Sequence, residues 1–181
     1  MGDVGKLAYK HGGSSLAYKK AGNAAGSLIY KADFGTETTI TFAWGSDGQD
    51  LDICAYWDDV PGLKVGYGYN SSSGEYSSNE YRIGYSGDIQ GVDSSEWVKI
   101  IKRPWSGGPA TFTIRLNFYG HDSSHSASTC SVIASQANGE TKVLHDVPCG
   151  TAAGSPAGGS HPGVRISFDS FGFLEKIEAI Q

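Results

Sequence analysis

Long apolar runs are what this sequence has least of, and their absence excludes a membrane-spanning helix. The chain opens Met1-Gly2-Asp3-Val4-Gly5-Lys6 and runs into polar, glycine-rich sequence, so neither a Sec signal at this start nor membrane insertion is expected. Myristoylation is not expected either, because Lys6 stands where that motif has Ser or Thr. Methionine occurs once, and long runs of helix formers are missing, which argues against a helical domain. Positive charge is also short: 14 Lys and Arg face 19 Asp and Glu, for a formal net charge of −5, with no basic cluster. A nucleic-acid footprint requires the opposite. The three cysteines, Cys54, Cys130 and Cys149, are few, odd in number and without a metal or redox spacing. Cys54 reads as a buried strand residue and all three as free thiols, with a Cys130–Cys149 pair left open.

What is abundant is Gly, at 26 of 181 residues, with 12% aromatics and many Ser and Thr. That composition predicts turns and pleated surface, hence an all-β domain large enough to bury its own core. The expected organisation is an arm over residues 1–33 and a β-sandwich or jelly-roll-like domain over 34–181.

The arm contains a repeat: Leu7-Ala8-Tyr9-Lys10, Leu16-Ala17-Tyr18-Lys19 and Leu28-Ile29-Tyr30-Lys31, separated by Gly-rich turns. In each unit Leu and Tyr, at i and i+2, face one side of an extended segment while Lys does not. Units this small bury little alone, so Leu7, Tyr9, Leu16, Tyr18, Leu28 and Tyr30 are expected to pack on a neighbour. That neighbour is the chain's own sandwich or another subunit's sheet edge.

From Phe34 onward strands recur. Ile40, Phe42 and Trp44 alternate with Thr39, Thr41 and Ala43, and Leu51 to Trp57 is apolar on both faces, as a central strand would be. Further strands are expected around Val65–Tyr69, Tyr81–Tyr85, Trp97–Ile101, Phe112–Phe118, Cys130–Ala134, Thr141–Val147, Val164–Phe168 and Phe173–Ile180. Residues 70–79 and 150–163 read as loops, and Asp169-Ser170-Phe171-Gly172 as a turn.

Two acidic stretches carry the chemistry. Asp50 and Asp52 flank Leu51 after a Trp-Gly-Ser-Asp-Gly turn, and Asp88, Asp93 and Glu96 follow in a second Gly-rich loop. Carboxylates at i and i+2 of a strand project to one side, so all five residues together predict the oxygen shell of a Ca²⁺ ion. The run from Phe42 to Ile53, the Gly87-Asp88 loop and the strand ending Asn117-Phe118-Tyr119 resemble the TerD-type tellurite-resistance stress proteins over residues 38–120. The resemblance implies a Ca²⁺-binding β-sandwich with Asp50, Asp52, Asp88, Asp93 and Glu96 as ligands. Ser94 and Ser95 stand where that family has more carboxylates, which implies weak binding, on the order of 10⁻⁴ to 10⁻³ M. Read as turn residues instead, Asp50 and Asp88 would satisfy local backbone N–H groups.

Other constellations carry less. His121-Asp122-Ser123-Ser124-His125 sits in one loop rather than converging from several elements, and the histidines lack zinc spacing. A glycosidase acid/base pair needs a raised carboxyl pKa, for which the polar turn gives no reason. Trp57, Tyr67, Tyr69 and Trp105 offer flat rings for stacking carbohydrate. No catalytic constellation emerges, so the expectation is a non-enzymatic structural protein that forms homo-oligomers or assembles with other structural subunits. The repeated leader resembles those of small phage and prophage structural proteins, implying a virion or extracellular assembly. The alternative is a monomeric ligand-binding module, carbohydrate-binding or TerD-like.

Overall fold

The computed structural model describes residues 7–9, 16–18, 37–60, 62–78, 81–102, 109–137, 139–153, 155–158, 161–169 and 172–181. Two short strands, β1 (Leu7–Tyr9) and β2 (Leu16–Tyr18), pair antiparallel as a sheet of their own. The third repeat unit, with Leu28 and Tyr30, lies outside the described residues.

The remaining strands form an all-β sandwich. In chain order they are β3 (Thr38–Ala43), β4 (Leu51–Trp57), β5 (Lys64–Gly66), β6 (Gly74–Ser78), β7 (Tyr81–Tyr85) and β8 (Ser95–Lys102). There follow β9 (Ala110–Phe118), β10 (Thr129–Gln136), β11 (Thr141–Pro148), β12 (Gly163–Phe168) and β13 (Leu174–Ile180). One sheet has the order β11-β10-β3-β8-β7-β6 and the other β13-β12-β9-β4-β5, with antiparallel neighbours throughout.

Period-two alternation builds the core between the sheets. Ile40, Phe42, Ile83, Val98 and Ile100 come from one sheet, and Leu51, Ile53, Phe112, Ile114 and Ile166 from the other, each at most 1% exposed. Burying side chains of this size stabilises by roughly 1.5–3 kcal/mol apiece. Trp57 sits at the centre of an aromatic cluster, its ring centroid 4.6 Å from Tyr81, 5.0 Å from Phe112 and 5.5 Å from Phe168.

Two local expectations are corrected. Within the stretch expected to be a loop, residues 74–78 form β6, which pairs with β7 through Tyr76 opposite Ile83. A single inward aromatic among Gly, Ser and Glu leaves too little periodicity to read. The strand expected to reach Tyr69 ends at Gly66, where φ is 105° and an added Cβ would lie 1.9 Å from the Ile53 carbonyl oxygen. Backbone approaches backbone so closely here that only glycine fits.

Strand β4 is buried on both faces, as expected, but it is not the central strand: it lies between β9, which is, and the short edge strand β5. The core covers one face. Residues 150–153, 155–158 and 161–162 lie against the other, tied down by Arg115 Nη1 donating to the His161 carbonyl (2.6 Å), Asn117 Nδ2 to Ala152 (3.0 Å) and Tyr69 Oη to Ala157 (2.5 Å).

Candidate metal centre

Asp50 makes an isolated antiparallel bridge with Gln90 at the entrance to β4, and Asp52 is the second residue of that strand. Leu51 between them enters the core at 0% exposure, so the flanking carboxylates leave on the opposite side. Three bonds hold the β7–β8 connection against this point. Gly91 N–H donates to the Gln49 carbonyl (2.6 Å), Trp44 Nε1–H to the Gly91 carbonyl (2.7 Å) and Asp88 N–H to the Ser71 carbonyl (3.4 Å). The docked loop delivers Asp88 to Asp50 and Asp52, and one carboxylate oxygen from each of the three lies within 4.8 Å of the other two.

This grouping is unfavourable by itself. Asp50 is 6% exposed and Asp52 3%, and Asp50 Oδ1 and Asp52 Oδ2 are buried with no hydrogen-bond partner. Burial first, and repulsion from Asp88 second, push the Asp50 carboxyl up to about 6. Burial, then Asp50 and Asp88, push Asp52 up to about 7. Among the described residues no salt bridge brings a Lys or Arg to any of the three. Buried oxygens without donors and carboxylates without counter-charge are costly, and a hard divalent cation removes both costs at once.

Known protein families, characterised proteins and solved structures give no match to this chain.

The other two acidic residues expected at the site are not part of this three-carboxylate group. Asp93 is an exposed turn residue with φ of 48°, its N–H donating to the Gly45 carbonyl at 3.2 Å. Glu96 is fully buried on the inner face of β8, where Oε2 accepts the Tyr85 hydroxyl (3.2 Å) and Oε1 the Ile89 N–H (2.8 Å). Burial is the main reason its pKa rises to about 8. Asp88 and Asp50 add to the rise, and the two hydrogen bonds oppose it.

Burial also answers the glycosidase reading. Asp50 and Asp52 do have the raised pKa values a catalytic acid requires, which the polar turn had not suggested. Asp50 Oδ1 and Asp52 Oδ2 are enclosed, which leaves little carboxylate surface for a glycosidic bond. An ion about 1 Å in radius can sit where a sugar ring cannot.

The proposed stacking residues separate. Trp57 is 0% exposed and belongs to the core, because its ring points inward against Phe112 and its neighbours. Tyr67 and Tyr69 are each 41% exposed, but Tyr69 is held by Ala157 through its hydroxyl and has Lys64 Nζ 4.7 Å above its ring. Trp105 lies outside the described residues. The His121–His125 stretch is a local turn in which Asp122 Oδ1 accepts the N–H groups of Ser124 (2.7 Å) and His125 (2.8 Å). Sequence reasoning missed the loop-docking role of Trp44, Gln90 and Gly91. The Trp-Gly-Ser-Asp-Gly turn was its one trace, since a buried indole N–H requires an acceptor.

Proposed function

We propose that this chain is a non-enzymatic structural module, a virion or surface-assembly subunit whose sandwich is locked by one Ca²⁺ at Asp50, Asp52 and Asp88. Two observations carry the metal part: the buried, unpartnered oxygens Asp50 Oδ1 and Asp52 Oδ2, and the approach of one carboxylate oxygen from each of Asp50, Asp52 and Asp88 to within 4.8 Å of the other two. All-oxygen, carboxylate-rich donors suit Ca²⁺ better than the softer transition metals. The ion would bind β4 to the β7–β8 connection, joining the two sheets where each carboxylate otherwise repels the next.

The assembly part is supported by the β1–β2 hairpin, which belongs to neither sheet of the sandwich. A two-stranded ribbon is marginal in isolation, so packing on another subunit, by strand addition or face to face, is its natural use. The leader's resemblance to phage structural proteins points the same way.

Solution mass of the full chain and of a variant lacking residues 1–33, each with Ca²⁺ and with chelator, tests both parts. Oligomers lost on truncation support assembly through the arm. A monomer under all conditions would instead favour a solitary Ca²⁺-binding module, which the location of all three carboxylates within one sandwich also permits. Calorimetric titration with Ca²⁺ tests the metal: no heat at millimolar ion, with thermal stability unchanged, would overturn it.

A further inference from the structure

A second site lies on the outer face of the six-stranded sheet, away from the core. β7 and β8 are paired there with Gly84 opposite Lys99, and Trp97 is next to them on the same face. A groove of about 480 Å³ runs over this face, within the range of small-ligand sites. Half-buried Trp97 lines it, and Gly84 puts no side chain beside the ring: an added Cβ would sit 3.7 Å from Trp97 Cζ3. The rim is charged but balanced. Arg82 Nη1 lies 3.1 Å from Glu75 Oε1, and Lys99 Nζ lies 3.9 Å from Glu37 Oε1.

The chemistry of the groove selects its ligand. Among the described lining residues two acids face two bases, a balance that favours neither a phosphate or carboxylate nor a cation. A flat indole takes the apolar face of a ring, while carboxylates, a guanidinium and an ammonium around it offer acceptors and donors to hydroxyl groups. Lys99 Nζ lies over the indole, 5.2 Å from the ring centroid, so a stacking sugar ring takes the place of that ammonium, and the Trp97 backbone N–H donates to Ser86 Oγ (3.2 Å). From these observations we infer that the groove binds a neutral saccharide, one pyranose ring stacking on Trp97 with its hydroxyls on Glu75, Arg82, Glu37 and Lys99. The site is separate from the carboxylate cluster and does not depend on the metal reading. It differs in every residue from the aromatics that the sequence singled out.

The test uses the full chain in saturating Ca²⁺, titrated calorimetrically and by tryptophan fluorescence with the hexasaccharides of cellulose, xylan, mannan and chitin. At least one is expected to bind in the micromolar to millimolar range and to perturb the indole emission. Trp97→Ala should weaken that binding tenfold or more, and Trp97→Phe should retain part of it. Gly84→Val should abolish it without strain, because its Cβ meets nothing closer than 3.5 Å and Val suits a strand. Should Trp97→Ala fail to fold, Gly84→Val decides. The inference is overturned if none of the four binds at millimolar concentration, or if binding survives Gly84→Val. It is equally overturned if the two variants change self-association in sedimentation instead, which would make the groove a contact between copies.

Discussion

Glu96 Oε1 accepts the backbone N–H of Ile89 at 2.8 Å, one residue beyond Asp88. The contact makes Glu96 a holder of the loop that carries Asp88. With its pKa at about 8, Glu96 is largely protonated at neutral pH, so the bond survives if the acid becomes an amide.

Glu96→Gln is therefore expected to keep Ca²⁺ affinity within about threefold, since Gln still presents an acceptor to Ile89. Glu96→Ala leaves the Ile89 N–H and the Tyr85 hydroxyl without their partner and should cost roughly 1–3 kcal/mol of stability. Parallel Ca²⁺ titrations and thermal melts of the two variants check this. Loss of binding in Glu96→Gln would return Glu96 to the ligand shell.

The acidic cluster sets a pH dependence. In the metal-free fold Asp50 and Asp52 hold protons up to about 6 and 7, whereas the unfolded chain releases them near 3.8. The folded state thus binds more protons over that window, and stability must fall as pH rises from about 4 to about 7. Buried Glu96 extends the fall to about 8. Ca²⁺ should reverse the slope, because it binds the ionised carboxylates. Melting temperature against pH, with ion and with chelator, should give curves that diverge upward in pH. Parallel curves would contradict the site.

Removing one charge separates ligands from bystanders. Asp52→Asn should weaken Ca²⁺ binding tenfold or more while raising the melting temperature of the metal-free protein by a few degrees, at about 2–4 °C per kcal/mol of relieved repulsion. Exposed Asp93→Asn should leave affinity within about twofold. The pair of variants, measured by calorimetry and melting, distinguishes a metal centre from a turn that merely contains acids.

The two sheets also share a buried amide. Gln136 Nε2 donates to Thr38 Oγ1 (2.8 Å) and the Gly172 carbonyl (3.0 Å), while Oε1 accepts the Leu174 N–H (3.0 Å). Gln136→Leu fills the volume but strands these groups at 4% exposure, so a loss of about 1–3 kcal/mol is expected in denaturant unfolding. An unchanged midpoint would mean that water or relaxation replaces the amide.

Strand periodicity alone was enough to determine an all-β chain and the burial of β4 on both faces, because a pleat sends alternate side chains to opposite faces whatever their neighbours are. The same rule put Asp50 and Asp52 on one side of the backbone. Sequence spacing carries no measure of burial or of approach between distant segments, so only the tertiary structure decided the rest. It placed Trp57 in the core, turned Glu96 inward, left Asp93 on the surface and brought Asp88 to its partners. The bridge from Asp50 to Gln90, 40 positions along the chain, makes that last choice, and a contact of that range exists only once both sheets have closed on their shared core.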